Sequence, residues 1–195
     1  MLLDIVILPP SEVRKKVGRI IPKSVTKRMT LVVDNKKFIP HISLFHLKTN
    51  KAGLLEVIKA TEEVIKDCRP LVFRSLNYSA SNRWLTLFLS NSKHLKKLNT
   101  EIINKCFLLR TGTMPWTEDY PPTKQAINNR KRLGNNGGRS FKSHFTIGVA
   151  KSAVDAKEIV DVLKPVKMKF ISNQIAVCEV NFWHQVTKVL KKFKI

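Results

Sequence analysis

Acidic side chains are scarce in this chain: 14 Asp and Glu stand against 36 Lys and Arg in 195 residues, a formal net charge of +22. A compact state with that imbalance repels itself unless a polyanion shares its surroundings, and nucleic acid is the expected one. Cysteine is also rare. Cys68, Cys106 and Cys178 show neither paired metal-ligand spacing nor an even disulfide framework, so they read as small buried hydrophobes in a reducing compartment. Long apolar runs are missing. Met1 to Leu8 is apolar apart from Asp4, but it is too short for a membrane span and lacks the basic start and cleavage region of a signal peptide. The expectation is a soluble, cytoplasmic protein that makes no membrane contact. No Pro/Gly/Ser linker divides the sequence, and 43% hydrophobic content suffices for one sizeable core. A single domain over residues 1–195 is expected, and a monomer.

What the chain does contain is a pair of like segments. Pro40-His41-Ile42-Ser43-Leu44 and Ser143-His144-Phe145-Thr146-Ile147 each carry a histidine, an apolar residue, a hydroxyl residue and another apolar residue. Side chains alternate faces along a strand, so His41 and Ser43 share one face, as do His144 and Thr146. Each strand would set a proton-transfer group beside a neutral donor for a phosphate oxygen. His46 stands an odd number of residues from His41 and is expected to face away from the site, in a structural role. Phe45 shares His41's face in a regular strand, where it would stack on a base. A zinc site would need three or four ligands, and neither His41 nor His144 has a companion Cys, Asp or Glu within a few residues. No metal and no other cofactor is expected.

Period supplies the remaining elements. Leu54, Val57, Ile58, Thr61, Val64 and Ile65 recur at helical spacing, as do Leu95, Leu98, Ile102 and Cys106, predicting helices over Ala52 to Lys66 and Lys93 to Cys106. Ser152 with Asp155 three residues on predicts a capped helix start, giving a helix from Val154 to Leu163 that Pro165 stops. Strands are expected over Leu3 to Leu8, Leu71 to Leu76, Trp84 to Leu89, Lys167 to Ile171, Gln174 to Phe182 and Thr187 to Phe193.

The histidine doublet and this order of elements resemble the 2H phosphoesterase superfamily, in particular its bacterial and archaeal branch of RNA 2′,3′-cyclic phosphodiesterases, also called 2′-5′ RNA ligase-like proteins. The resemblance runs over most of the chain. It implies an α+β bilobal fold, in which two small, mainly antiparallel sheets face a central cleft and each carries one motif. It also implies that His41 and His144 are catalytic and that Ser43 and Thr146 bind the phosphate. The implied activity is a metal-independent phosphodiesterase that hydrolyses 2′,3′-cyclic phosphate ends of RNA to a monoester by two-histidine acid–base catalysis. The alternatives are a 2′-5′ or 3′-5′ oligonucleotide phosphodiesterase of the same superfamily and a non-catalytic basic RNA-binding module. Symmetric motifs leave open which histidine is acid and which is base. Lys151 follows the second motif where the family often carries a basic residue, which would meet the phosphate.

The motifs lie about a hundred residues apart, and an inserted loop accounts for that length. The stretch from about 110 to 143 is read as a flexible basic loop at the cleft rim. Its densest part, Tyr120 to Ser143, carries Arg130, Lys131, Arg132 and Arg139 as candidate RNA contacts, and Gly134-Asn135-Asn136-Gly137-Gly138 supports neither helix nor strand. It lacks the G-K-[ST] ending of a phosphate-binding P-loop.

Overall fold

Leu-Leu-Asp-Ile-Val-Ile is apolar on both faces except at Asp4, and it forms β1 (Leu2–Ile7), an interior strand flanked on both sides. The computed structural model describes residues 1–112, 114–115 and 141–195. The elements that follow are α1 (Ser11–Val17), a 3₁₀ turn (Lys23–Arg28), β2 (Met29–Val32), β3 (Ile42–Lys48) and α2 (Lys51–Ile65). Then come β4 (Leu71–Ser81), β5 (Trp84–Leu89), α3 (Lys93–Cys106), β6 (His144–Ala150), α4 (Ala153–Val162), β7 (Lys169–Ser172), β8 (Gln174–Val180) and β9 (Val186–Lys194).

The strands form two antiparallel sheets. One has the order β3-β1-β8-β9 and the other β2-β6-β5-β4-β7, so each sheet carries one histidine motif. This is the α+β arrangement of two antiparallel sheets, one motif on each, that the resemblance implies. α2 packs on β8 and α3 on β3, while α4 covers β4, β5 and β6. The largest buried cluster joins both sheets, from Leu3 and Ile5 to Phe145 and Phe170, with Phe73 and Phe170 stacked at 5.2 Å. A smaller cluster sets Trp183, from the β8–β9 turn, against Trp84 of β5 and ties the sheets together at one side.

Helix starts follow local chemistry. Asn50 accepts from Gly53 N at 2.8 Å, Ser92 from Leu95 N at 3.0 Å and Ser152 from Asp155 N at 3.0 Å, each satisfying a backbone donor of a first turn. Ser152 also donates its hydroxyl to the Asp155 carboxylate, in place of the backbone bond that would complete a capping box, and Arg28 pairs with Asp155 and Glu158 to fasten α4 to the segment before β2. α1 and β2 are additions that the sequence reading does not contain. α1 buries only Val13 and Val17, one helical turn apart, which is too short a stripe for period to register.

Candidate active site

Asp4 organises the first half of the site. It is fully buried on β1, and its Oδ2 accepts from Ser43 Oγ at 2.6 Å, lies 3.0 Å from His46 Nε2 and 3.5 Å from His41 Nε2. Burial alone would push this carboxyl up. His46, through charge and hydrogen bond, together with His41 and Ser43, outweighs it and holds Asp4 below the usual carboxylate range.

A β-bulge puts His46 there. Opposite β1, Ile5 pairs with Phe45 but Val6 pairs with Ser43, leaving Leu44 as the extra residue. The bulge breaks the alternation, so Leu44 and Phe45 both enter the main core while Ser43 and His46 both meet Asp4. Asn99 of α3, also fully buried, donates from Nδ2 to the Leu44 carbonyl at 2.7 Å and so holds the irregular backbone. His46 packs its ring 5.0 Å from that of His184, which sits at φ +55° in the β8–β9 turn and bonds the Pro115 carbonyl at 3.2 Å.

The two motif histidines are anchored alike. His41 Nδ1 donates to the carbonyl of Ile39 at 2.7 Å, and His144 Nδ1 donates to that of Lys142 at 2.8 Å, each two residues back in the chain. In the neutral imidazole that bond places the proton on Nδ1 and leaves Nε2 as the basic nitrogen. Burial pushes both imidazoles below their ordinary pKa. At His41 the Asp4 carboxylate and the Ile39 bond oppose burial without overcoming it, whereas charge on His46 or His144 adds to it. At His144 the Lys142 bond and Asp4 oppose burial in the same way, and charge on His46 adds to it. The motifs thus share one electrostatic neighbourhood across the two sheets, and β3 and β6 touch.

The hydroxyls differ. Ser43 is committed to Asp4, whereas the Thr146 hydroxyl has no hydrogen-bond partner among the described residues. Thr146 stands opposite Thr86 of β5, and His144 opposite Phe88, whose ring meets the imidazole edge-on at 6.0 Å.

No protein-family model and no curated protein sequence matches the chain. Solved structures do. A Thermus thermophilus protein, TT0787, aligns with a TM-score of 0.61 at 17% identity, over 100% of this chain and 97% of its own. A phosphoesterase aligns at 0.57 and 13%, over 100% and 98%, and Escherichia coli LigT complexed with ATP at 0.55 and 11%, over 100% and 97%. The chain shares the fold of these structures over its whole length.

Within this fold the residues expected at the site separate into groups. His41 and Ser43 come together with Asp4, and His144 and Thr146 line the facing sheet. Phe45 does not share their face: the bulge turns it into the core, where it is fully buried and closed to a base. Lys151 is exposed just beyond the far end of β6, roughly 20 Å along the strand from His144, out of reach of a phosphate held there. His46 is the converse correction, an expected outward residue that the bulge brings onto the Asp4 carboxylate. Asp4 itself had a signal in the sequence, as the one acid in an otherwise apolar strand. Arg130, Lys131, Arg132, Arg139 and most of the basic loop lie outside the described residues. No helix among the described residues is long and apolar enough to cross a membrane. Cys106 and Cys178 are buried, as expected, whereas Cys68, expected buried as well, is only half-buried, and burial pushes the Cys106 thiol up to about 11.

Proposed function

We propose that the protein is a metal-independent phosphodiesterase that opens 2′,3′-cyclic phosphate ends of RNA to a monoester. The observation that carries this reading is the twin anchoring of His41 and His144, each with Nδ1 bonded to the carbonyl two residues back and Nε2 left as the reacting nitrogen. One imidazole takes a proton from water as its oxygen attacks phosphorus. The bond from phosphorus to one ribose oxygen breaks in line, and the other imidazolium protonates that oxygen. Two histidines thus complete the proton balance. Thr146 donates to a non-bridging oxygen as charge grows there. The nucleotide complexes of LigT, with ATP and with 3′-AMP, support a nucleotide-containing substrate, and the +22 charge supports an oligonucleotide. Arg130, Lys131, Arg132 and Arg139 are proposed to meet its more distant phosphates.

The test is incubation with excess chelator and separate RNA oligonucleotides bearing a 2′,3′-cyclic phosphate, a 2′-5′ linkage or only 3′-5′ linkages, with products identified by mass. Conversion of the cyclic end to a monoester, unaffected by chelator, is the expected result. Loss of activity that zinc or manganese restores would refute the two-histidine chemistry. Cleavage confined to 2′-5′ or 3′-5′ linkages would move the protein to that activity, and tight RNA binding without turnover would make it a binding module.

The unequal hydroxyls give a second expected result. Thr146→Ala should lower kcat by about 10²-fold, the scale of one lost oxyanion donor. Ser43→Ala should lower it less, because the Ser43 proton already belongs to Asp4. Steady-state kinetics of the two variants checks the order, and a larger kcat loss in Ser43→Ala would overturn it.

A further inference from the structure

The strands of the five-stranded sheet, β2, β6, β5, β4 and β7, contain no Asp or Glu at any position. One face of this sheet is packed: Phe73, Phe145, Phe170, Leu85 and Leu87 are buried on the side that α4 covers. The pairing register defines the other face. Starting from His144 and Thr146 of β6, it passes to Phe88 and Thr86 of β5, which stand directly opposite them. Arg74 of β4 comes next, its backbone N and O both bonded to Ser90 just beyond β5. Arg74 pairs in turn with Lys169 of β7, and Val72 pairs with Ile171.

This face is exposed and apolar as well as basic. Val72, Leu76 and Ile171 are 50%, 60% and 56% exposed, a large share for aliphatic side chains grouped at one end of a sheet. Lys142, just before β6, holds its ammonium 6.0 Å from the centre of the Phe88 ring. Interleaved cations and apolar or aromatic side chains on a sheet face whose strands carry no carboxylate are what a single strand of nucleic acid requires, since bases seek apolar faces and phosphates seek cations. The surface is also continuous with the candidate active site at His144.

We propose that this face is a platform for single-stranded RNA, seating the nucleotides next to the scissile phosphate as the strand runs from β6 across β5 and β4 to β7. The proposal rests on the phosphodiesterase reading for what lies at its inner end. Three inter-strand steps carry it roughly 14 Å beyond the histidines, room for nucleotides beyond the terminal one. Phe88 takes the first base, Val72, Leu76 and Ile171 take those further out, and Arg74 and Lys169 take the phosphates.

The test compares a hexanucleotide with a dinucleotide, both ending in a 3′-phosphate for binding by fluorescence anisotropy and in a 2′,3′-cyclic phosphate for turnover. In Arg74→Ala/Lys169→Ala the preference for the hexamer should fall about tenfold, and the slope of log affinity against log salt should drop by about 1.4, the value for two phosphate contacts on a single strand. Leu76→Ser/Ile171→Ser should lower the preference with the salt slope unchanged. Lys157→Ala/Lys188→Ala, on α4 and β9, controls for overall charge and should leave both quantities unchanged. Equal losses on hexamer and dinucleotide, an unaltered preference in both platform variants, or the same effect in the control would overturn the platform. Binding is read without turnover, so a wild-type protein that shows the platform effects yet hydrolyses nothing leaves the platform standing and removes the phosphodiesterase reading.

Discussion

Alanine at either His41 or His144 is expected to lower kcat on a cyclic-phosphate oligonucleotide by about 10²–10⁴-fold, the range for a lost general acid or base. The double variant should be little worse than the poorer single one, because the two groups act in the same proton balance. The pH dependence follows from the shifts described above. Burial lowers both imidazoles from 6.5, so above that pH both are neutral and the acid form is scarce. The profile of kcat/KM should therefore be bell-shaped with its maximum below about 6.5, and each single variant should lose one limb from whatever activity remains. Steady-state rates from pH 4.5 to 9 check this. Wild-type rates peaking above pH 7.5, or full turnover in either variant, would contradict the assignment of both roles.

Asp4→Ala is expected to have the largest effect on stability. It strands the Ser43 hydroxyl and His46 Nε2, both held by one fully buried carboxylate, and breaking such a buried arrangement from one side costs about 3 kcal/mol. For a chain of this size that is a fall in Tm of about 6–12 °C. The sign with pH is specific. Asp4 is lowered in the folded state, so its contribution is present above 3.8 and is lost as pH falls through the folded value. His41 and His144 are lowered too; they add no cost above 6.5 and weaken the fold as pH falls below it. Wild-type stability should thus decline in two acid stages, and in Asp4→Ala the lower one should be smaller, with the remainder coming from Asp34 and Asp155, whose hydrogen-bonded carboxyls are also lowered. Thermal unfolding from pH 2.5 to 8 measures both, and an Asp4→Ala Tm within 2 °C of wild type at pH 7 would contradict the role given to Asp4.

Some of this was legible from residues alone. α3 spans Lys93–Cys106, as its apolar spacing predicts, because Leu95, Leu98, Ile102 and Cys106 form one buried stripe. α2 and α4 are displaced from expectation by a single residue at each end, and β5 is as expected. β4 runs on past Leu76 to Ser81, since a bulge beyond Ser75 lets it continue alongside β5. The motif histidines could be found because each carries its own local pattern. Asp4 and His46 could not be tied to them, because the link depends on one extra residue at Leu44. A strand's alternation is readable in sequence; where it slips depends on the partner strand and on Asn99 reaching across from α3. The unequal hydroxyls escape for a related reason, since nothing within two near-identical motifs says which of them has a neighbouring strand's carboxylate within reach.

The place of β1 between β3 and β8 has a consequence for how the protein is made. Leu3 pairs with Leu47 on one side and with Glu179 on the other. A ribosome adding roughly 5–20 residues per second takes about 7–26 s to go from Leu47 to that second partner. Through that interval Leu3, Ile5 and Ile7 belong to a strand with one open edge, a template for pairing with the wrong chain. Substitutions that weaken β8 should therefore show themselves first as aggregated product during expression, with normal turnover in the fraction that escapes.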